Sequence, residues 1–142
     1  MIQFQFEFLA TQNINSSSLG HISIRSQGHE LSTKNNHACM LLLTLLDTMD
    51  GVLLLYRHKE MASCSFNSVG SSFNYSLKRT KEGMVIVHSG KEIGTIELHD
   101  FAQGLISSID ALLMTYTLSF EQMAPIKEDF QDAYFTLKEY LT

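Results

Sequence analysis

Histidine is the residue type in this chain best suited to bind a metal ion or transfer protons near neutral pH. The six histidines are His21, His29, His37, His58, His88 and His99. They form no HxxxH or HExxH pattern, and the chain has no CxxC pair, so zinc has no local scaffold. His29 and His37, eight residues apart with Glu30 beside the former, could still approach one metal ion. Because the motif spacings are lacking, we interpret all six as solvated loop or strand-end residues and predict no metal site.

Cysteine and aspartate are the other candidates for chemistry. Cys39 and Cys64 each lie in an apolar segment, whereas a reactive thiolate needs an electropositive, partly open setting. We therefore predict two unpaired, buried and inert thiols. Asp47 and Asp50 are three residues apart, and paired carboxylates can act as general acid and base, but no histidine or serine stands at a fixed local spacing to assist them. The sequence predicts no catalytic residue and no cofactor.

One local basic cluster could point to nucleic acid. Lys78, Arg79 and Lys81 follow Phe73 and Tyr75, and an aromatic strand with basic neighbours could stack single-stranded nucleic acid. Three charges at a hairpin tip are more often protection of a sheet edge. We keep single-stranded nucleic-acid binding as the weaker interpretation.

Length and charge narrow the class of protein. The chain has 142 residues, of which 44% are hydrophobic, which indicates one folded domain over residues 1–142 with a substantial core. Its net charge of −5 disfavours nucleic acid and anionic membranes as partners and suits a basic partner. Because there are only two cysteines and no signal peptide at the start, we expect a cytoplasmic protein.

The most hydrophobic segment runs from Ala38 to Tyr56 and is long enough to span a membrane. It carries Asp47 and Asp50 near its middle, which would cost about 5–7 kcal/mol on insertion, so we interpret it as a core element of a soluble protein. Its leucine spacing predicts a helix from about His37 to Asp50, with N-cap candidates upstream at Ser32, Thr33, Asn35 and Asn36. Gly51 either ends this helix or is tolerated inside it, and residues 52–56 are either a last helical turn or a short strand.

The rest of the chain alternates short strands with turns and ends in two helices. Period-two patterns predict strands near residues 1–9, 21–26, 61–68, 73–78, 84–88 and 93–98. Apolar stripes at helical spacing predict helices near residues 100–116 and 125–141. The order ββ-α-ββββ-α-α predicts an α+β domain, in which an antiparallel sheet of about six strands is covered by helices on one face.

Acidic residues gather on two of the predicted helices. They are Asp47 and Asp50 on the leucine-rich helix and Glu128, Asp129 and Asp132 on the last helix. An exposed acidic face of this kind can receive a basic protein. These five residues are our candidates for partner binding.

Three stretches of the sequence resemble a known class of proteins. They are MLLLTLLDTMDG, SFNSVGSSFNYSLKR and IELHDFAQGLISSIDALL, within residues 37–116. Their pattern of hydrophobic residues and their order of elements are similar to those of small α+β immunity proteins of bacterial contact-dependent inhibition and other polymorphic toxin systems. The resemblance implies a cytoplasmic antitoxin that binds one cognate toxin domain, often a nuclease, and blocks it.

Two other functions stay open at this point. The chain could be a small interaction or assembly domain that forms a homo-oligomer through its leucine-rich helix or an edge strand. An enzyme that uses histidine with cysteine or aspartate is the weakest hypothesis. We expect a non-catalytic immunity protein whose partner is a basic toxin domain.

Overall fold

The computed structural model describes residues 2–35 and 37–142, so Met1, where the first strand was predicted to begin, lies outside them. The strands are β1 (Ile2–Phe8), β2 (Leu19–Ser26), β3 (His29–Ser32), β4 (Cys39–Met40), β5 (Ser63–Asn67), β6 (Asn74–Thr80), β7 (Gly83–His88) and β8 (Lys91–Ile96). The helices are α1 (Leu41–Arg57), α2 (Leu98–Thr115) and α3 (Lys127–Tyr140), with short 3₁₀ turns at Thr33–Asn35 and Phe120–Met123. These elements confirm the α+β class.

The strands form two four-stranded antiparallel sheets, whereas the sequence had predicted a single sheet of about six strands. In the first sheet, β2 pairs with β1 on one side and with β3 and β4 on the other. The second sheet is the meander β5-β6-β7-β8. Strands β3 and β4 lie in what had been predicted as a polar loop and a helix start. Strand β3 reads HELS and β4 has two residues, so neither offers a period-two pattern of apolar side chains.

Strand β1 shows how alternation builds the first sheet. Its even-numbered residues are hydrophobic and include the buried Ile2 and Phe8, while Gln3 and Gln5 are exposed. In the β1–β2 register Phe4 lies opposite Ile24, so aromatic and branched side chains share the inner face. This pairing of apolar faces confirms the strand predicted at the N-terminus.

Helix α1 is buried on nearly every side. Leu42, Leu45 and Leu55 have no exposed surface. The helix continues through Gly51 to Arg57, so Gly51 is an interior residue and residues 52–56 are helical. Among the described residues no helix is both long and apolar enough to cross a bilayer.

The start of α1 differs from the prediction. The helix begins at Leu41, after the short strand β4, and not near His37. Thr33, one of the polar residues expected to cap it, instead accepts a hydrogen bond at Oγ1 from the Ile22 backbone N–H at 3.0 Å. Asn36, another of those expected caps, lies outside the described residues. Within the described part of this segment, Thr33 therefore stabilises the first sheet and not the helix end.

Each of the first two helices connects the two sheets. Helix α1 follows the first sheet and packs on β5 of the second, and α2 follows the second sheet and packs on β1 of the first. Side chains of these helices and their ends also accept hydrogen bonds from backbone groups at or near the ends of these strands. Thr44 Oγ1 accepts one from the N–H of Val69, two residues after β5, at 3.0 Å, and Oη of Tyr116, the residue after α2, accepts one from the Phe8 N–H of β1 at 3.0 Å. Glycines bring each helix close to its strand, Gly51 in α1 and Gly104 in α2.

Gly51→Ala is expected to destabilise the protein even though alanine favours a helix by about 1 kcal/mol. A Cβ at Gly51 would lie 2.5 Å from Phe66 Cε1 and 3.1 Å from Cys64 Sγ. Overpacking of a core costs about 1–3 kcal/mol, so we expect a net loss of about 1 kcal/mol in the free energy of unfolding in urea. At Gly104 the nearest side-chain atom, Ile2 Cγ2, would be 3.2 Å away, so Gly104→Ala serves as the milder control. A Gly51→Ala protein that is more stable than wild type would contradict this packing.

Candidate functional site

A groove of about 240 Å³ lies between α1 and α3. Its lining consists of Leu46, Asp50, Leu53, Arg57, Asp129, Asp132, Ala133 and Thr136. Three of the five carboxylates predicted to bind a partner therefore meet in one place, although α1 and α3 lie far apart along the chain.

The buried side of each helix determines which carboxylates reach the groove. On α1, Leu45 and Met49 point into the core, so Asp50 is left on the exposed side. On α3, Phe130 and Leu137 are buried, and Asp129 and Asp132 are exposed. The groove is thus a consequence of two amphipathic helices packed side by side.

The other two predicted residues lie outside the groove lining. Asp47 is exposed, and its Oδ2 accepts a hydrogen bond from the Asn67 N–H of β5 at 3.3 Å. Glu128 is exposed on α3. Asp47 therefore has a structural contact of its own, whereas Asp50, Asp129 and Asp132 form the site proper, which we call the acidic groove.

The carboxylates of this region repel one another. The pKa of Asp50 is raised, first by partial burial and then by the negative charges of Asp47 and Asp129, while Arg57 acts in the opposite direction. A carboxylate with a raised pKa is held in its charged form at neutral pH at a cost to the folded state. Such a group gains from a cation brought by a partner.

Asp50→Asn is expected to stabilise the free protein by about 0.2–0.5 kcal/mol at neutral pH, the size of one like-charge helical pair. The folded state holds the Asp50 proton more tightly than the unfolded state does, so wild type gains stability as the pH falls through the raised pKa. The advantage of the Asp50→Asn variant should therefore shrink in acid and vanish below the ordinary pKa of aspartate. Urea melts from neutral pH to pH about 3.5 would measure it, with Glu82→Gln in the exposed β6–β7 turn as control. An advantage that is independent of pH would contradict the repulsion.

The histidines are distributed over separate parts of the fold. His21 Nδ1 is 2.9 Å from Thr33 Oγ1, and His88 Nδ1 is 2.8 Å from the Asn74 carbonyl oxygen. His58 lies beside Glu60 at the end of α1. Within residues 2–35 and 37–142 no group of three or more histidine, cysteine, aspartate or glutamate side chains is placed to hold a metal ion.

The two cysteines differ in exposure. Cys39 is fully buried, and burial raises the pKa of its thiol. Cys64 is only partly buried, contrary to the prediction of two buried thiols, and burial and the Asp47 charge raise its pKa. Both are free thiols, and the raised pKa values disfavour the thiolate form at neutral pH.

One residue of the basic cluster, Arg79, bonds inside the fold, while Lys78 and Lys81 are exposed. Arg79 donates hydrogen bonds from Nη2 to the Leu55 carbonyl oxygen at 2.9 Å and from Nε to the Met61 carbonyl oxygen at 3.0 Å, which ties β6 to the end of α1. Phe73 and Tyr75 are buried. The rings on which nucleic acid would stack therefore face the core, which removes the observation that favoured a nucleic-acid partner.

A second groove, of about 410 Å³, lies beside β1 and α2. Its charged residues are Arg25 and Glu30, whose Nη2 and Oε2 atoms are 2.6 Å apart. Because these charges neutralise each other, this groove has no excess charge to attract a partner of either sign.

Two exposed apolar residues on the helices of the acidic groove were missed by the sequence reasoning. Leu54 on α1 is 41% exposed and Phe135 on α3 is 50% exposed. A signal was present for Phe135, since it falls off the apolar stripe formed by Phe130, Ala133 and Leu137. For Leu54 the signal depended on extending α1 beyond Gly51.

Comparison of the chain with protein-family models, curated proteins and solved structures gives no match.

Proposed function

We propose that this protein is a non-catalytic immunity protein, which binds and neutralises a cognate basic toxin domain through the acidic groove between α1 and α3. The observation that supports this most is the meeting of Asp50, Asp129 and Asp132 around one groove. The resemblance of residues 37–116 to immunity proteins of contact-dependent growth inhibition agrees with it.

The physical argument rests on charge complementarity. A lysine or arginine of the partner that enters the groove replaces repulsion between Asp50 and Asp129 by attraction. The net charge of −5 also draws a basic domain toward this protein before contact. An antitoxin gains from fast association, since the toxin must be blocked before it acts.

The proposed function also implies a cellular compartment. An immunity protein has to bind its toxin in the compartment where the toxin acts. For an incoming nuclease that place is the cytoplasm, and we propose that the protein acts there.

The alternative, an assembly domain that dimerises through its leucine-rich helix, has less support. Leu42, Leu45 and Leu55 have no exposed surface in the single chain and are not available for a second copy. An edge strand is also a poor route at β5, because α1 lies against that strand.

Expression of the protein together with the toxin domain encoded by the neighbouring gene tests the proposal. We expect growth to be rescued in cells that make both proteins, and the two purified proteins to associate at nanomolar to low micromolar concentration. A neighbour that is harmless by itself, or a pair that does not associate at micromolar concentration, would refute the immunity function.

A further inference from the structure

Leu54 and Phe135 are exposed apolar residues on the two helices that form the acidic groove. On α1, Leu54 follows Asp50 by four residues and precedes Arg57 by three, so helical spacing places it on the same exposed side. On α3, Phe135 follows Asp132 by three residues. Asp50, Arg57 and Asp132 line the groove, and Leu54 and Phe135 lie outside the lining, one helical turn from these residues.

Phe135 is exposed but held in place. Its ring centroid lies 5.0 Å from that of Tyr134, in an edge-on arrangement, and 5.9 Å from that of Phe120. Half of the side chain nevertheless faces solvent. A ring that is already ordered loses little conformational entropy when a partner covers it.

The charges around these side chains identify the kind of surface that covers them. Besides Asp132, the exposed Glu128 and Glu139 lie seven residues before and four residues after Phe135, on the same side of α3. Lys138, three residues after Phe135, is paired with Asp110 of α2, with Nζ 3.7 Å from Oδ1. A second copy of this chain would bring like charges together, and an anionic lipid surface would be repelled. A basic protein surface with an apolar recess fits both the charges and the exposed side chains.

We infer that Leu54 and Phe135 are the apolar anchors of the complex and bury themselves in recesses of the basic toxin surface, with the groove carboxylates around them. This inference rests on the proposed function and assigns different steps of binding to the carboxylates and to the apolar residues. The carboxylates determine how fast the partners meet, and the two anchors determine how long they stay together. Aromatic residues that become fully buried at the centre of an interface are the ones whose truncation weakens binding most.

Dissociation rates of the purified full-length protein from the purified toxin domain of the neighbouring gene test the inference. Phe135→Ala is expected to speed dissociation about 30-fold or more, and Leu54→Ala about tenfold, with association rates changed less than about threefold. Leu19→Ala is the matched control for Leu54→Ala, because Leu19 is 45% exposed but lies on β2. Its dissociation rate should equal that of wild type.

The possible outcomes separate the inference from the function on which it rests. If wild type binds and both Phe135→Ala and Leu54→Ala dissociate at the wild-type rate, the anchors are refuted and the immunity function stands. If the Leu19→Ala control speeds dissociation as much as Leu54→Ala does, the assignment of anchors is refuted as well. If wild type itself does not bind, both proposals fail. Should Phe135→Ala loosen its packing on Phe120 and unfold, Leu54→Ala decides the inference.

Discussion

Leu45→Ala is expected to lower the free energy of unfolding by about 2–5 kcal/mol. Leu45 is 0% exposed and belongs to the buried core, together with Leu42 of the same helix and Ile109 of α2. Truncation removes buried methyl groups and leaves a cavity that the surrounding helices and sheets fill only in part. Urea melts followed by circular dichroism would measure the loss.

Leu54→Ala on the same helix is the matched control. Leu54 is 41% exposed, so its truncation leaves no enclosed cavity, and a change within about 0.5 kcal/mol is expected. A loss below about 1 kcal/mol for Leu45→Ala, or equal losses for the two variants, would exclude Leu45 from the core.

Charge reversal in the acidic groove is expected to have the largest effect on the rate of association. Asp129→Lys and Asp132→Lys should each slow association with the proposed toxin partner at least about tenfold at low salt, since electrostatic steering raises association rates by about 10–1,000-fold. The difference from wild type should shrink as added salt screens the charges. Stopped-flow association over a range of salt concentrations would measure both effects.

The control for this experiment changes the net charge equally at another place. Glu82 lies in the exposed β6–β7 turn, so Glu82→Lys should slow association much less than Asp129→Lys does. Asp47 is a poorer choice, because its carboxylate also accepts the hydrogen bond from the Asn67 N–H and a reversal there disturbs β5. Equal slowing by Glu82→Lys would mean that only net charge matters and would contradict a groove-specific contact.

Local periodicity predicted the elements that carry several apolar residues. The alternation from Ile2 to Phe8 predicted β1, and the spacing of Phe130, Ala133 and Leu137 predicted the buried side of α3. Strand β3 was missed because Leu31 is its single apolar residue. Strand β3 is held in the sheet by backbone hydrogen bonds to β2, and a period-two pattern of side chains does not encode such pairing.

The division into two sheets could not be predicted for a related reason. Patterns of burial show which face of a strand is covered but not which strand lies next to it. The extension of α1 past Gly51 depends on tertiary contact as well. There the missing Cβ allows close approach to Phe66, and this packing outweighs the low helix propensity of glycine.

The sequence predicted which helix carries each carboxylate of the acidic groove but not that the carboxylates lie close together. Helical spacing placed Asp50 on one helix face, and Asp129 and Asp132 on another. Their meeting depends on how α1 packs against α3, which is long-range information. The same holds for Leu54 and Phe135, whose exposure is visible only once the core is assembled.

NMR mapping of the bound surface tests the central claim most directly. Backbone and methyl shifts of the isotope-labelled protein would be recorded while the unlabelled product of the neighbouring gene, the proposed toxin partner, is added. We predict the largest changes at residues 47–57 of α1 and 128–136 of α3, including the Leu54 methyl groups. Changes confined to the first sheet, around Gln3, Arg25 and Glu30, would contradict binding at the acidic groove.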